Sequence, residues 1–288
     1  MNRLATAIGL GAALAAASLA AACGGDHDPP DEPPARLLAE ALANPVSSGE
    51  TAIDLELYLE GDSFLAGDAS AQLEGPFRAA EDGGLPSFDL SLDAEVAGFG
   101  VDGELVSTGA DGYVVFFGEN YRVGAERAGE LDRRLRQLDG SVPATLGLRI
   151  SDWFRQPRYA VSEDVGGVET VRIDADVDSV AVAEQLSALA EGLGAPALVT
   201  ALARGAEPGV ASVWVAHDDR TIRRVRVQFP FTVPPEQRAA GITRGASTLD
   251  VEISDVGKDV EVEPPPGGGF QPIDQLIDRL LSLANLAL

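Results

Sequence analysis

Apolar and polar residues alternate at every second position over much of the first half of the chain. Ile53, Leu55, Leu57 and Leu59 alternate with Asp54, Glu56, Tyr58 and Glu60, the pattern of an antiparallel strand with one face buried and the other wet. Ala69, Ala71 and Leu73 continue it up to Gly75-Pro76, and Phe88, Leu90, Leu92, Ala94 and Val96 repeat it against Asp89, Ser91, Asp93 and Glu95. Val101 to Ser107 and the aromatic-rich Tyr113 to Phe117 add two more strands. Turn signals stand at Gly98 and Gly100, at Gly109 to Gly112 and at Gly118 to Asn120. Strands this closely spaced, with short turns between them, predict a meander.

The second half mixes periods. Strands are predicted near Tyr159 to Glu163 and over Val168 to Val177, around Gly166-Gly167. Three more follow over Val210 to Ala216, Ile222 to Val233 and Ala246 to Val256, the first two joined by the turn His217-Asp218-Asp219-Arg220. Helical spacing marks Ala35 to Ala43, stopped by Pro45, and Ala125 to Leu138, with its stripe of Leu131, Leu135 and Leu138. It returns over Ser179 to Leu193, where Val182, Leu186, Leu189 and Leu193 share a side and Asp178 can cap the start. A further helix is predicted from Pro196 to Arg204. Strands that all present one apolar face, with apolar helices between them, predict an α+β fold: helices packed on the apolar face of one curved antiparallel sheet.

The first residues read as an export signal. Arg3 supplies a positive start, Leu4 to Ala22 are uncharged, and Ala20-Ala21-Ala22 precede Cys23, the only cysteine. In a bacterial lipoprotein a diacylglyceryl group on the Cys23 thiol would hold the chain on the outer face of the cytoplasmic membrane. Two alternatives stay open. Ala20 and Ala22 also satisfy a secretory cleavage rule, and the uncleaved run is long enough to serve as an anchor. The division expected is a signal peptide over 1–22, a lipidated cysteine and acidic Pro-rich spacer over 23–34, a main domain over 35–262, a Pro/Gly linker over 263–271 and an amphipathic helix over 272–288. That tail, striped by Ile273, Ile277, Leu280, Leu281, Ala284 and Leu288, lacks the cations and aromatics of an interfacial helix, so it is expected to dock on its own domain as a lid.

Composition removes several functions. A formal charge of −25, without a basic cluster, excludes nucleic acid as a partner and disfavours anionic lipid surfaces. With Cys23 modified no thiol is left for a disulfide. His27 lies in the spacer and His217 in a turn, and neither accompanies a nucleophile motif. Asp174-Ala175-Asp176-Val177-Asp178 begins like a calcium loop but has Ser179 at the sixth position and Gln185 at the twelfth. The pairs Glu163-Asp164 and Asp218-Asp219 are adjacent, so in strands they point to opposite faces. No enzyme, cofactor or metal site is expected. Trp153-Phe154 reads as a core anchor or as part of a ligand mouth.

The lipoprotein start, Ser107-Thr108-Gly109 before Tyr113-Val114, the segment Gly166 to Ile173, and Val213-Trp214-Val215 leading through Asp218-Asp219-Arg220 to Ile222-Arg223-Arg224 give the chain a further reading. In their order they resemble the mycobacterial LppX/LprA/LprF/LprG-type lipoproteins. That resemblance implies a U-shaped half-barrel, similar to periplasmic lipoprotein carriers, with helices across its concave face and an apolar cavity for an acylated lipid or lipoglycan. The cavity candidates are then Ile53, Leu55, Leu57, Leu59, Phe88, Leu90, Leu92, Val182, Leu186 and Leu189. The resemblance implies that Cys23 is the lipidation site. The partners expected are the membrane, through the lipid anchor, and an apolar lipid ligand; the chain is expected to be a monomer, with room for an envelope protein partner. The alternative is a tethered interaction or structural protein with a filled core, since both readings need the same apolar inward faces.

Overall fold

The computed structural model describes residues 30–62, 66–80, 84–96, 98–136, 153–179, 181–182, 207–233, 235 and 241–279. The signal segment with Cys23, the Pro196 to Arg204 helix and most of the Ser179 to Leu193 helix, with Leu186 and Leu189, lie outside these residues.

The described chain opens with helix α1 (Pro34–Ala43). Pro34 suits the first turn, where no donor is lost, and Asn44 before Pro45 ends the helix because a residue preceding proline is driven out of helical geometry. Leu37, Leu38 and Ala41, at helical spacing, are its buried side. Just upstream, Glu32 is clamped: its backbone oxygen accepts a hydrogen bond from the Tyr159 hydroxyl at 2.8 Å, and its carboxylate pairs with Arg220. At the other end of the helix the Asn44 amide donates to the Asp219 carbonyl at 2.8 Å.

Six strands follow as an antiparallel meander: β1 (Ser48–Gly61), β2 (Gly67–Arg78), β3 (Ser87–Val96), β4 (Phe99–Thr108), β5 (Gly112–Phe116) and β6 (Glu119–Arg122). The last of these occupies residues where the sequence predicts a turn. The turn is in fact only Phe117 and Gly118, both at positive φ (52° and 73°), a backbone whose twist suits a two-residue hairpin. Helix α2 (Ala125–Arg136) comes next, then β7 (Phe154–Tyr159), β8 (Glu163–Val165) and β9 (Val168–Val177). The strand predicted near Tyr159 to Glu163 is thus two strands, one earlier and one later. Val161 between them is 73% exposed, and Phe154 supplies the inward anchor opposite Val177. Three long strands complete the body: β10 (Gly209–Ala216), β11 (Ile222–Thr232) and β12 (Ile242–Ser254).

β1 and β12 pair from Glu50 opposite Ser254 to Gly61 opposite Ile242 and join the two meanders into one sheet. Its order begins with a short edge strand β13 (Gln271–Pro272) and runs β13-β6-β5-β4-β3-β2-β1-β12-β11-β10-β9-β7, with β8 also on β9. The sheet is curved and does not close. β13 is parallel to β6 and lies at the end of the Pro/Gly segment. The chain reaches it from β12 by way of a Gly257–Ser48 backbone bond at 3.0 Å, the buried Val260 and a Phe270–Tyr113 ring contact at 5.1 Å. Residues 273–279 are helical, with Leu276 buried. Arg127 of α2 pairs with Asp274 at 2.7 Å, and Glu119 of β6 with Arg279 at 2.6 Å. Over these residues the tail docks on its own domain.

Candidate functional site

Residues opposite one another across an antiparallel sheet point to the same side, so register decides which side chains share a face. Ile53 stands opposite Leu73 and Val251, Leu55 opposite Ala71 and Leu249, Leu57 opposite Ala69 and Ser247, and Leu59 opposite Gly245. Leu73 in turn faces Leu92, Phe77 faces Phe88, and Leu90 faces Leu105. Ile53, Leu55, Leu57, Leu59, Phe88, Leu90 and Leu92 therefore lie on one apolar face. The same face continues through Val225, Val227, Phe229 and Phe231 of β11 into Ala211, Val213 and Val215 of β10 and Val171, Ile173, Ala175 and Val177 of β9.

The two parts of this face differ in how they are covered. Over β9 and β10, α1 seats Leu37, Leu38 and Ala41 in a cluster with Phe154, Ile173, Val213 and Val215, all 9% exposed or less. Val182, a cavity candidate, belongs to this packed cluster at 6% exposure. Over β1 to β3 and β12 the face is more open. Leu55 is 43% exposed, and Ile53, Leu57, Leu59, Leu73, Leu90, Leu92 and Leu249 are half-buried. The Ser179 helix begins as predicted: Asp178 Oδ1 accepts the Ala181 N–H at 3.1 Å.

Close packing shapes the floor of the face. A side chain at Gly245 would meet the Tyr58 carbonyl at 2.3 Å and the Phe231 ring at 2.5 Å, so glycine lets that ring lie flat over β12. β11 was legible as a strand, but the contribution of Phe229 and Phe231 to the face was missed. Their phase with Val225 and Val227 carries that signal.

The opposite face is polar and cross-braced. The Trp214 ring lies between the guanidinium groups of Arg172 and Arg224, at 5.4 and 5.2 Å, and donates its indole N–H to Glu163 at 2.5 Å. Arg224 and Arg226 both reach Asp250, with nitrogen to oxygen distances of 2.6 and 2.5 Å. Burial works to raise the Asp250 carboxyl, but the hydrogen bonds and charges of these two arginines overcome it and hold the group below the ordinary carboxylate range. Open grooves of about 470 Å³ beside Trp214 and about 300 Å³ beside Asp54 and Asp93 share Arg224 and Arg226. The grooves are lined by charged side chains together with the hydroxyls of Ser70, Thr248 and Ser212. Asp174 accepts from Ser212 and Arg172, Asp176 pairs with Arg158, and Asp178 binds Arg155. The three aspartates of the calcium-like run are thus committed to different partners. His217 is exposed beside Asp218. Among the described residues no group of three metal-ligating side chains forms, and no helix is long and apolar enough to cross a membrane.

No protein-family model matches the sequence, and no curated protein does. Among solved structures the chain is similar to the crystal structure of LprF from Mycobacterium bovis, at 14% identity and a TM-score of 0.46, over 81% of this chain and 97% of that one. It is similar to the Mycobacterium tuberculosis lipoprotein LppX at 15% identity and a TM-score of 0.40, over 79% of this chain and 95% of that one. A structure of lipid–protein interactions in lipovitellin aligns at 7% identity and a TM-score of 0.32, over 79% of this chain and 26% of that one. Two of the three are mycobacterial lipoproteins of the type that the sequence resembles.

Proposed function

We propose that this protein is an envelope lipoprotein, held on the outer face of the cytoplasmic membrane through a diacylglyceryl group on Cys23, that binds or carries an apolar, acylated lipid or lipoglycan on the apolar face of its sheet. The observation that carries the reading is the uneven covering of that face. The β9–β10 part is sealed by α1, while Leu55 in the middle of the sheet stays 43% exposed among half-buried leucines. A contiguous apolar surface left part-open is a surface that a ligand or partner covers. On the polar face the ion pairs brace neighbouring strands.

Native mass spectrometry with lipid extraction, on protein made in its own host, tests the ligand. A copurifying acylated lipid is expected; its absence, together with no uptake of a fluorescent apolar probe, would overturn the reading and favour a tethered protein with a filled core. The tightness of the cluster around Ile173 is what speaks for that second reading. The anchor has its own test. Cys23→Ser is expected to move the protein out of the membrane fraction, and a variant that still pellets after a high-salt wash would show that the uncleaved signal holds it.

A further inference from the structure

The apolar face carries a buried hydroxyl without a partner among the described residues. Ser247 sits in β12 in phase with Gly245, Leu249 and Val251, opposite Leu57 on one side and Phe229 on the other. It is 8% exposed, and its Oγ has no hydrogen-bond partner among the described residues. Other hydroxyls on the same face are not left this way. Thr51 donates to the Glu252 carbonyl at 3.3 Å and Ser107 to the Pro86 carbonyl at 2.6 Å. β12 lies between β1 and β11 and is laddered to both, so the backbone around Ser247 is already engaged. A buried hydroxyl without a partner is costly, and natural structures keep few of them.

We infer that Ser247 is the polar contact of the lipid site, donating its O–H to a neutral acceptor in the ligand, the ester carbonyl of an acyl chain. This rests on the lipid-binding reading above and narrows it. The immediate neighbours across and along the sheet are Leu57, Phe229, Gly245 and Leu249, none of which can balance a charge. A carboxylate or phosphate brought beside them would lose its hydration for a single hydrogen bond, whereas an ester carbonyl needs no more than one donor. A pure hydrocarbon would leave Oγ unpaired, and an ether oxygen, a weaker acceptor hemmed in by its two methylenes, would pair with it less well than a carbonyl. The site therefore selects acyl esters over free fatty acids and over alkyl ethers of the same length. Leu55, exposed and one residue pair along from Leu57 on this face, marks the open side beside the hydroxyl.

The test compares a neutral triacylglycerol with its trialkyl ether of equal chain length, neither carrying a free hydroxyl, both delivered from cyclodextrin to the full-length protein in competition with a fluorescent apolar probe. The wild type is expected to prefer the ester about fivefold to tenfold, the worth of one neutral hydrogen bond. Ser247→Ala is expected to erase that preference by lowering ester affinity more than ether affinity, and Ser247→Thr, which keeps the hydroxyl, to retain it. Equal wild-type binding of ester and ether, or a preference that survives in Ser247→Ala, would overturn this inference and leave lipid binding standing. If neither lipid nor the probe binds, the lipid-binding reading itself falls, and this one with it.

Discussion

Asp250 joins strands β11 and β12 through two guanidinium groups while its own side chain is only 10% exposed. Removing it leaves Arg226 without this counter-charge beside Arg224, which keeps the longer pairing to Glu252 at 3.8 Å. Both arginines are part-exposed, Arg224 at 28% and Arg226 at 43%, so water relieves some of that cost. Asp250→Ala is expected to lose about 2 kcal/mol in urea unfolding at pH 7, below the cost of breaking a fully buried pair. The pH dependence has a fixed sign. Because the folded carboxyl is held low, its contribution is fully present above the unfolded value near ~3.9 and is lost as pH falls through the folded one. Stability of the wild type should therefore fall more steeply below pH ~4 than that of Asp250→Asn; parallel curves would show that the pair contributes nothing. Asp250 stands between Leu249 and Val251, so alternation places it on the face opposite theirs and says no more. Its two arginines lie 24 and 26 positions away and meet it only through cross-strand register. Ser247 was legible in part. A serine in phase with Leu249 and Val251 breaks the apolar rule, but only the register shows that it faces Leu57 and Phe229.

At the scale of elements, α1 is too short to be stable alone and has no side-chain N-cap, so packing holds it. Leu37 is 1% exposed, and Leu37→Ala is expected to cost about 3 kcal/mol, read as a lower urea midpoint and faster proteolysis after Ala43. An unchanged midpoint would mean that the helix is not part of the cooperative core. The tail makes a different prediction. Truncation after Val262 removes β13 and bares the edge of β6, an open row of backbone donors and acceptors. Lower stability and concentration-dependent self-association in light scattering are expected; a monomer with an unchanged melting curve would show that the tail serves only as a cover. The sequence located most strands because their apolar phase is long and regular. It missed β6 because its four residues are too few to show a period. It misplaced β7 because the phase is broken by a bulge at Gln156, with φ of 49°, before Pro157. Tail docking was expected from the stripe, but a parallel pairing of two residues with β6 leaves no mark in composition.

For the molecule as a whole, period-two patterning foretold a two-sided sheet but not its order. Nothing local makes β1 pair with β12. That choice brings together residues such as Thr51 and Glu252, 201 positions apart, and it is favoured because both strands carry an apolar face of matching length. The Glu32 clamp has a consequence of a different kind. With Cys23 lipidated as proposed, only the residues between it and Glu32 remain as a leash, spanning at most ~30 Å when extended. The domain is then confined to a shallow hemisphere above its own lipid. Anything else fixed to the same patch of bilayer meets it at an effective concentration on the order of 10 mM. Contacts too weak to detect between the isolated molecules would be occupied most of the time at the membrane, and breaking the Tyr159 and Arg220 contacts to Glu32 would lengthen the leash and dilute them.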